Sequence, residues 1–442
     1  MPRRNLVWVL CVVLVSFVCL QGAPRDDENY EFYRLLVDAL DHIEKSYVEK
    51  VDRKQLLDGA LEGMLNKLDP YSSYIGPESY RQFERTTQGH FGGIGIQVAQ
   101  ERDRVLTVIS PLVGTPAYRA GVLAGDRIIK INDESTENIT LDQAVGKLTG
   151  PAGTKVSITV VHKGQAEPHE IALVREEIKV ESVLGDSRRP DDSWDWIVDK
   201  DNKIAYMRVN SFINTTAEDV DKAIKQAKQD GMQGLVIDLR FNPGGLLQSA
   251  IDVSDMMLKS GMIVSTKGRN TRERKWPASG AGVHTDFPMA VLVNHYSASA
   301  SEILAAALQD NGRAKIVGER TWGKGSVQNV IELDGGKSAL KLTTAEYHRP
   351  NGHNIHRRDK AKDSDEWGVM PDEDFKVEFT PDDMTRYLDY RRSRDILKRN
   401  GKDGAKSDPQ EKPQSFEDKQ LQKALDYVVA QVKEKTKAVS QK

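Results

Sequence analysis

A serine at the junction of a predicted strand and a predicted helix is the first candidate for chemistry. Ser299 follows the apolar residues 290–293 and precedes a segment, residues 302–308, of high helix propensity. Such a turn exposes a side chain beside the first backbone N–H groups of the helix, which lack internal partners. Ser299 with Glu302 also matches a capping box, and a serine before a helix is more often a cap than a nucleophile, so the serine alone favours a helix cap.

A lysine in a glycine turn supplies the second candidate. Lys324 lies between Gly323 and Gly325, next to Trp322, and strand-like runs flank the turn. A solvated surface lysine does not require two glycines, whereas a backbone that lets an amine approach a neighbouring loop does. Ser299 and Lys324 are therefore interpreted together, as nucleophile and base.

The proposed chemistry places a demand on the lysine. An amine with the reference pKa of about 10.4 is almost entirely protonated at pH 7 and cannot accept the serine proton. Lowering that pKa to about 7–8 disfavours the cation by roughly 3–4 kcal/mol, which burial can supply. We expect Trp322 and the flanking apolar strands to provide this burial.

Acyl transfer also needs hydrogen-bond donors for the oxyanion. One is expected from the N–H of Ala300, directly after the nucleophile. The other is expected from the turn at residues 241–245, Phe-Asn-Pro-Gly-Gly, which follows a predicted strand. The sequence does not distinguish Gly244 from Gly245 in this role.

These residues resemble the C-terminal processing, or tail-specific, proteases, a Ser/Lys peptidase family. The similarity includes Ser-Ala-Ser-Ala-Ser-Glu at 297–302, Gly-Lys-Gly at 323–325, the interval between them, and Gln328. The resemblance implies that Ser299 is the nucleophile, Lys324 the base and Gln328 the residue that orients the lysine. It covers nearly all of the chain from about Asp38 and implies an α/β, crotonase-like protease core.

A glycine-rich region resembles a PDZ domain. Short strands and glycine turns alternate over residues 90–176, with a candidate helix at 141–148. In this resemblance Gly93, Ile94, Gly95 and Ile96 form the loop that binds a terminal carboxylate through backbone N–H groups, while the peptide adds a strand beside it. A plain glycine-rich hairpin is the alternative.

The chain is predicted to be a multidomain α/β protein. Strands and helices alternate from Lys203, which is typical of crossovers onto a shared sheet. The expected order is a signal peptide (1–23), a helical region (29–88), the PDZ domain (89–178), the protease core (179–380), a polar linker (381–415) and an amphipathic helix (416–438). The apolar stripe of that last helix must be covered by its own domain or by a second subunit. A homodimer is therefore one of two alternatives.

The N-terminus and composition predict an exported protein. Arg3 and Arg4 precede the apolar residues 6–20, the pattern of a secretory signal, although an uncleaved segment would act as a membrane anchor. Both cysteines, Cys11 and Cys19, lie in this segment, so the remaining chain has no disulfide or zinc-thiolate site. The net charge of −3 does not favour a nucleic-acid partner.

Three competing interpretations are weaker. A Ser-His-Asp hydrolase would need His284 or His295 in a recognisable motif, and Gly-x-Ser-x-Gly is absent. Three histidines within residues 347–356 could suggest a metal, but Pro-Asn-Gly at their centre indicates a hairpin. A non-catalytic PDZ scaffold on a degenerate protease fold would bind peptides without turnover.

The sequence therefore predicts an exported, ATP-independent serine endopeptidase without a metal or cofactor. It is expected to bind the C-terminal tails of proteins through its PDZ domain and to cleave within them. Residues 357–366 are longer and more charged than the usual end of the family's hairpin, and we expect them to affect substrate access.

Overall fold

A computed structural model describes residues 27–100, 104–395 and 416–440. These described residues divide into two compact units, one comprising those up to 76 together with 332–342, and the other comprising those from 77 to 331 and from 343 onward. The predicted signal peptide, residues 1–23, lies outside the described residues. Within the described ranges, no helix has the length and apolar character needed to cross a bilayer.

The first unit contains two helices and a short strand. The predicted helical pattern is confirmed by α1 (Asp27–Ser46) and α2 (Arg53–Leu65). The side chain of Asp52 accepts a hydrogen bond from the N–H of Lys54 and so caps α2. Strand β1 (Ser73–Ile75), which interrupts the expected helical region, pairs antiparallel with residues 339–341.

The PDZ-like region has its own sheet and core. Helix α3 (Pro77–Gln88) precedes it, and the later segments include α4 (Pro116–Ala120) and α5 (Leu141–Leu148). Its strands are β2 (His90–Gly93), β3 (Ile96–Gln100), β4 (Leu106–Pro111), β5 (Arg127–Ile131), β6 (Glu134–Ser135), β7 (Lys155–Val161), β8 (Pro168–Val174) and β9 (Glu176–Lys179). The main sheet has the order β3-β4-β5-β7-β8, so β3 is an edge strand. Alternate apolar residues of β7 are buried in the core, together with Ile128 and Ile131 of β5.

The predicted protease core is built on a second sheet. Its first strands are β10 (Val183–Leu184), β11 (Ser187–Arg188), β12 (Trp194–Asp195), β13 (Ile197–Asp199), β14 (Ile204–Val209) and β15 (Gly234–Asp238). They are followed by β16 (Met262–Lys267), β17 (Arg274–Pro277), β18 (Met289–Val293) and β19 (Lys315–Gly318). The sheet order is β10-β14-β15-β18-β19, and the last four of these strands are parallel.

Helices connect the parallel strands, as the alternating pattern predicted. They are α6 (Thr216–Gln229), α7 (Leu247–Met257) and α8 (Ala300–Asp310). Every residue of β14, β15 and β18 is buried, as expected for a sheet covered on both faces. The turns that follow β15 and β18 therefore meet at the carboxyl edge of the sheet, where α/β proteins bind ligands.

Antiparallel strands form a further layer beside the helices. They include β20 (Ser326–Leu333) and β21 (Ser338–His348). Strand β16 pairs with β17 on one side and with residues 346–348 of β21 on the other. The N–H of Tyr347 donates to the carbonyl of Gly325 at 2.7 Å, so the C-terminal end of β21 lies beside the turn that carries Lys324.

Residues 381–395, expected to be part of a polar linker, instead form helix α9 (Pro381–Asp395). Its Tyr387 and Arg391 are buried. The guanidinium of Arg391 donates hydrogen bonds to the side-chain carboxylate and to the backbone carbonyl of Asp186. The charged composition of this segment did not indicate that one face of the helix would be buried. That burial depends on ion pairs with residues that are distant in sequence. The remainder of the expected linker, residues 396–415, lies outside the described residues.

The C-terminal helix α10 (Lys419–Ser440) packs on the core sheet. Ala424 and Val428 are fully buried against residues of β14, β15, β18 and β19. The apolar stripe that the sequence left to either the same domain or a second subunit is thus covered by the same domain.

Candidate active site

Ser299 lies at the turn between β18 and α8, as predicted. Its backbone dihedral angles, φ 55° and ψ −113°, are unusual for a residue with a side chain and are typical of strain held at functional sites. The N–H of Ala300, the first residue of α8, has no hydrogen-bond partner in the described parts of the chain. A partnerless helix N–H therefore lies directly beside the serine.

The turn after β15 lies against this serine. The backbone carbonyl of Asn242 accepts hydrogen bonds of 3.0 Å from the N–H of Ala298 and from the hydroxyl of Ser301. A Cβ atom on Gly244 would lie 2.6 Å from the carbonyl oxygen of Ala298 and 2.8 Å from the Cβ of Ser299. Only glycine allows this approach of the two turns.

The two glycines of the turn differ in their N–H groups. The N–H of Gly244 donates a 2.8 Å hydrogen bond to the side-chain oxygen of Asn242. The exposed Gly245 has an N–H without a partner among the described residues. Gly245 thus retains a free donor, and that of Gly244 is already occupied.

The turn that carries Lys324 is fixed by its backbone. The N–H of Thr321 donates to the carbonyl of Val369 at 3.1 Å, and the N–H of Trp322 donates to the carbonyl of Ser297 at 3.0 Å. The next two N–H groups, of Gly323 and Lys324, donate to the carboxylate of Glu302 at 2.7 and 2.8 Å. Consecutive peptide groups are therefore bound to the nucleophile turn or to its surroundings.

Glu302 joins the two candidate segments. Its side chain is fully buried and accepts four hydrogen bonds: from the Thr321 hydroxyl and the Gly323 N–H at one oxygen, and from the N–H groups of Ser299 and Lys324 at the other. Burial raises the pKa of Glu302 to about 7, and the four hydrogen bonds oppose this rise.

The sequence identified Glu302 only as the acid of a capping box. The structure contains the bond from the Ser299 N–H to the Glu302 carboxylate, at 2.8 Å, which is one half of that motif. The same carboxylate additionally holds the lysine turn. A glutamate at the third position of the helix was the only signal in the sequence for this role. The sequence could not show its bonds to residues 321–324, because they join segments that are distant along the chain.

The two glycines beside Lys324 allow close approach to a hairpin. A Cβ atom on Gly325 would lie 2.2 Å from the backbone nitrogen of His356, and one on Gly323 would lie 2.7 Å from the Cβ of Arg357. The burial expected for the lysine is incomplete, because Trp322 is 49% exposed and Lys324 is itself partly exposed. Contacts with the hairpin lie against the two glycines of the turn.

Gln328 lies on β20, four residues beyond the lysine. Its side-chain amide nitrogen donates to the hydroxyls of Ser326 and Thr343, at 2.8 and 3.2 Å. The amide oxygen has no partner in the described parts of the chain, so it is the group left to accept a hydrogen bond.

Tyr347 is a site residue that the sequence analysis missed. Its side chain is 4% exposed and interacts with the side chain of Ser299. Burial raises the pKa of Tyr347 to about 12, so the phenol is neutral at physiological pH. It was overlooked because β21 is distant in sequence from the serine and reaches the site through tertiary contacts, among them the bond from the Tyr347 N–H to the carbonyl of Gly325 at 2.7 Å.

The predicted carboxylate-binding loop connects β2 with the edge strand β3. The carbonyls of Ile94 and Gly95 accept hydrogen bonds of 2.9 Å from the N–H groups of Ala117 and Leu112. The N–H groups of Ile94 and Gly95 have no partner among the described residues. Gly95 has φ 76°, and Ile96 begins β3, beside α5.

The histidines considered as alternatives have other partners. The Nε2 of His284 lies 2.9 Å from Asp221, and the Nδ1 of His295 lies 2.8 Å from Glu319. Neither contact includes Ser299. Over the described ranges, no group of three His, Cys, Asp or Glu side chains is arranged to hold a metal ion.

Arg320 holds the charged segment at residues 357–366. It donates to the carbonyls of Asp363 and Trp367, at 2.9 and 3.0 Å, and its guanidinium lies 3.5 Å from the centre of the Trp367 ring. Because Trp367 is also close to Gly323, this segment is linked to the turn that carries Lys324.

This chain is similar to known protein families and known proteins. Family models match the activating protease CtpB N-terminal domain at residues 20–79, the PDZ domain at 82–161 and peptidase family S41 at 203–375. A carboxy-terminal-processing protease of Bartonella bacilliformis is 42% identical over 364 residues, covering 80% of each chain. Carboxy-terminal processing protease CtpA of Bacillus subtilis is 36% identical over 345 residues, covering 78% of this chain and 70% of that protein.

One solved structure, the photosystem II D1 C-terminal processing protease, is 26% identical, with a TM-score of 0.42 over 78% of this chain and 92% of that one. The two relatives are at least 36% identical to this chain over at least 70% of each protein, which is sufficient to assign the family. The chain belongs to the carboxy-terminal processing proteases, serine peptidases of family S41.

Proposed function

We propose that this protein cleaves protein C-terminal tails with Ser299 as nucleophile and Lys324 as general base. The observation that carries the proposal is that one buried carboxylate, that of Glu302, binds the backbone N–H of both residues at 2.8 Å. The two nitrogens therefore lie within twice that distance of each other. The Glu302 carboxylate thus preorganises the turn of the nucleophile relative to the turn of the base.

The reaction follows from the two side chains. The neutral amine of Lys324 takes the hydroxyl proton of Ser299 as its oxygen attacks the peptide carbonyl. The resulting oxyanion is stabilised by the N–H groups of Ala300 and Gly245, both of which have no other partner in the described residues. The lysine then passes the proton to the departing amine, and water hydrolyses the acyl ester on Ser299 by the reverse proton route.

Gln328 is proposed to orient the base. Its amide nitrogen is occupied by two hydroxyls, which leaves its oxygen to accept a hydrogen bond from the Lys324 amine. A neutral acceptor orients the amine without the added negative charge of an aspartate, which would raise the lysine pKa. Tyr347, which interacts with the Ser299 side chain, is proposed to set the direction of the serine hydroxyl.

The PDZ domain is proposed to bind the end of the tail. The loop Gly93-Ile94-Gly95-Ile96 offers the N–H groups of Ile94 and Gly95 to a carboxylate, and the edge strand β3 can pair with an incoming strand. We expect a substrate tail with a free carboxylate to be cleaved faster than the same tail with a C-terminal amide. Equal rates on both tails would contradict tail capture by this loop.

Export and self-association complete the proposal. Residues 6–20 would direct the chain out of the cytoplasm as a cleaved signal or hold it as a membrane anchor. Exposed apolar side chains on α1, including Phe32 and Val37, at 62% and 61% exposure, favour a homodimer through this helix. Cell fractionation with N-terminal mass analysis tests the first point, and light scattering of Val37→Glu against the wild type tests the second.

One experiment tests the catalytic proposal. An unfolded protein that ends in apolar residues is incubated with wild type, Ser299→Ala and Lys324→Ala, and the products are mapped by mass spectrometry. We expect cleavage within the tail by wild type alone. Equal cleavage by all three proteins would exclude the Ser-Lys mechanism, and tail binding without cleavage by wild type would favour a peptide-binding scaffold.

A further inference from the structure

A cavity of about 340 Å³ lies between the PDZ domain and the protease core. On the PDZ side it is lined by Gln97 and by residues 109–112 at the end of β4. On the core side it reaches Phe241, which immediately precedes the Asn242–Gly245 turn beside Ser299. A peptide bound between the PDZ domain and the active site would therefore pass this cavity.

The core side of the cavity is rich in arginine. Five arginines line it, and the lining contains two acidic residues, Glu181 and Asp395. The arginines are Arg188, Arg208, Arg240, Arg391 and Arg392. We call this cavity the arginine pocket.

Most of these cations have ion-pair partners. Arg240 is bound by Asp238 and Asp418, Arg208 by Asp395, and Arg188 by Glu181. Arg391 is bound by Asp186, which also binds Arg394. Arg392 is exposed and makes no ion pair with any described residue, so the lining of the pocket has an excess of positive charge.

Buried N–H groups around the pocket also lack partners. Arg208, Arg391 and Trp194 are only 8%, 5% and 7% exposed. The Nε atoms of the two arginines and the indole Nε1 of Trp194 form no hydrogen bond with the described residues. Arg188, whose Nε is likewise unpaired, lies 3.5 Å above the Trp194 ring. Buried donors without acceptors are unfavourable, and an anion in the pocket would relieve this cost.

We propose that the arginine pocket binds an acidic side chain of the substrate tail. The inference rests on the proposed cleavage of tails and adds a specificity to it: a glutamate at one position of the tail promotes binding. The shape of the pocket favours a carboxylate on a peptide, because apolar Ile109, Pro111 and Leu112 form one wall and Phe241 lies on the path to the catalytic turn. Arginine is suited to this role because its planar guanidinium binds carboxylates through two parallel hydrogen bonds.

Binding to the inactive Ser299→Ala protein tests the proposal independently of cleavage. A labelled neutral tail peptide is prepared with a single glutamate at successive positions, each paired with a peptide that has glutamine there. Fluorescence anisotropy is expected to show one position at which glutamate lowers Kd about tenfold, the size of effect that a charged hydrogen bond can produce. The absence of a glutamate preference at every position would overturn the proposal.

Charge reversal identifies the pocket. In Ser299→Ala/Arg392→Glu we expect the glutamate preference to disappear and a lysine at the same position to become favourable. Arg392 is exposed, so the substitution does not disturb the core, and Arg272→Glu is the matched control because Arg272 is also exposed and lies outside the pocket. An equal glutamate preference in the Arg392 and Arg272 variants would place the acidic side chain elsewhere.

Two further experiments test whether the Trp194 indole N–H binds the carboxylate and whether the carboxylate comes from a peptide or from a small molecule. Trp194→Phe keeps a ring beneath Arg188 and removes the unpaired indole N–H, so about a threefold loss of the glutamate preference is expected. Free N-acetylglutamate amide is expected to compete weakly with the glutamate peptide and not with the glutamine peptide. If the free compound binds as tightly as the glutamate tail, the pocket is a small-molecule site and the substrate assignment is wrong.

Discussion

The backbone N–H of Lys324 donates a 2.8 Å hydrogen bond to the side chain of Glu302. The same carboxylate oxygen accepts the N–H of Ser299, also at 2.8 Å. A single buried carboxylate therefore determines how the turn of the base lies relative to the turn of the nucleophile.

Replacing Glu302 with glutamine should impair both folding and catalysis. The amide NH2 group would face N–H donors in place of one carboxylate oxygen, which leaves two buried donors without an acceptor. We expect the free energy of unfolding at pH 8 to fall by about 3 kcal/mol. A shift of the two turns of about 1 Å should lower kcat/KM about 100-fold.

Urea denaturation and peptidase assays at a temperature where both proteins are folded measure the two effects. Glu49→Gln, at an exposed glutamate, is the matched control and should change neither quantity. A Glu302→Gln protein with the stability and the kcat/KM of the wild type would show that the carboxylate does not organise the site.

The stability of the protein should depend on pH through Glu302. Its pKa is about 7 in the fold, compared with about 4.5 in the unfolded chain, so between these values the folded state binds the proton that the unfolded state has released. The stabilisation is complete below pH 4.5 and is lost as the pH rises through 7. The difference corresponds to about 3 kcal/mol.

The measurement compares urea unfolding of wild type and Glu302→Gln from pH 5 to 8. The free energy of unfolding of the wild type should decrease relative to that of the variant over this range, because glutamine does not titrate. A constant difference between the two proteins would mean that Glu302 has the same pKa in both states.

The sequence was sufficient to find the candidate nucleophile and base because both have local signals. Ser299 follows an apolar strand, and Lys324 lies between two glycines. The contacts that organise them could not be predicted, since Glu302, Tyr347 and the lysine turn come together only through packing and strand pairing. In the sequence, Ser299 followed three residues later by Glu302 is the same pattern as an ordinary capping box.

Hydropathy likewise predicted the core strands and failed at α9. The strands are continuous apolar runs, and the helix at 381–395 is rich in charged residues. Its burial depends on the pairing of Arg391 with Asp186 and of Arg208 with Asp395, residues far apart in the chain. Composition cannot reveal that a charged residue will be neutralised by a distant partner.

Gly244→Ala should distort the nucleophile turn. The added Cβ would lie within 2.9 Å of the Ala300 nitrogen as well as close to Ala298 and Ser299, and φ at this position is 101°. We expect a loss of about 3 kcal/mol in unfolding free energy and a fall in kcat/KM of at least about 100-fold. Chemical denaturation and peptidase kinetics measure these effects.

Gly121→Ala is the control that separates the effect of backbone strain from the effect of the steric clash expected in Gly244→Ala. Gly121 has φ 90°, and no atom lies within 4 Å of a Cβ added there. This variant should lose about 1–2 kcal/mol and keep the wild-type kcat/KM. If the two alanine variants retained equal activity, close contact between the Gly244 turn and Ser299 would not be needed for catalysis.

Val428→Ala should destabilise the core. Val428 on α10 is fully buried, and a Cβ added to Gly234 would lie only 2.3 Å from its Cγ1 atom, which shows how closely the helix and β15 approach. Removing two methyl groups there should lower the free energy of unfolding by about 2 kcal/mol. Val48→Ala is the control, because Val48 is 88% exposed and should show no change.

This comparison also tests which chain covers the apolar stripe of α10. If the stripe packs on its own domain, the loss in unfolding free energy should be the same at high and low protein concentration. If a second subunit covered the stripe instead, Val428→Ala would shift the equilibrium between monomer and dimer, and its effect would vary with concentration. Denaturation at two protein concentrations, with light scattering at each, distinguishes these outcomes.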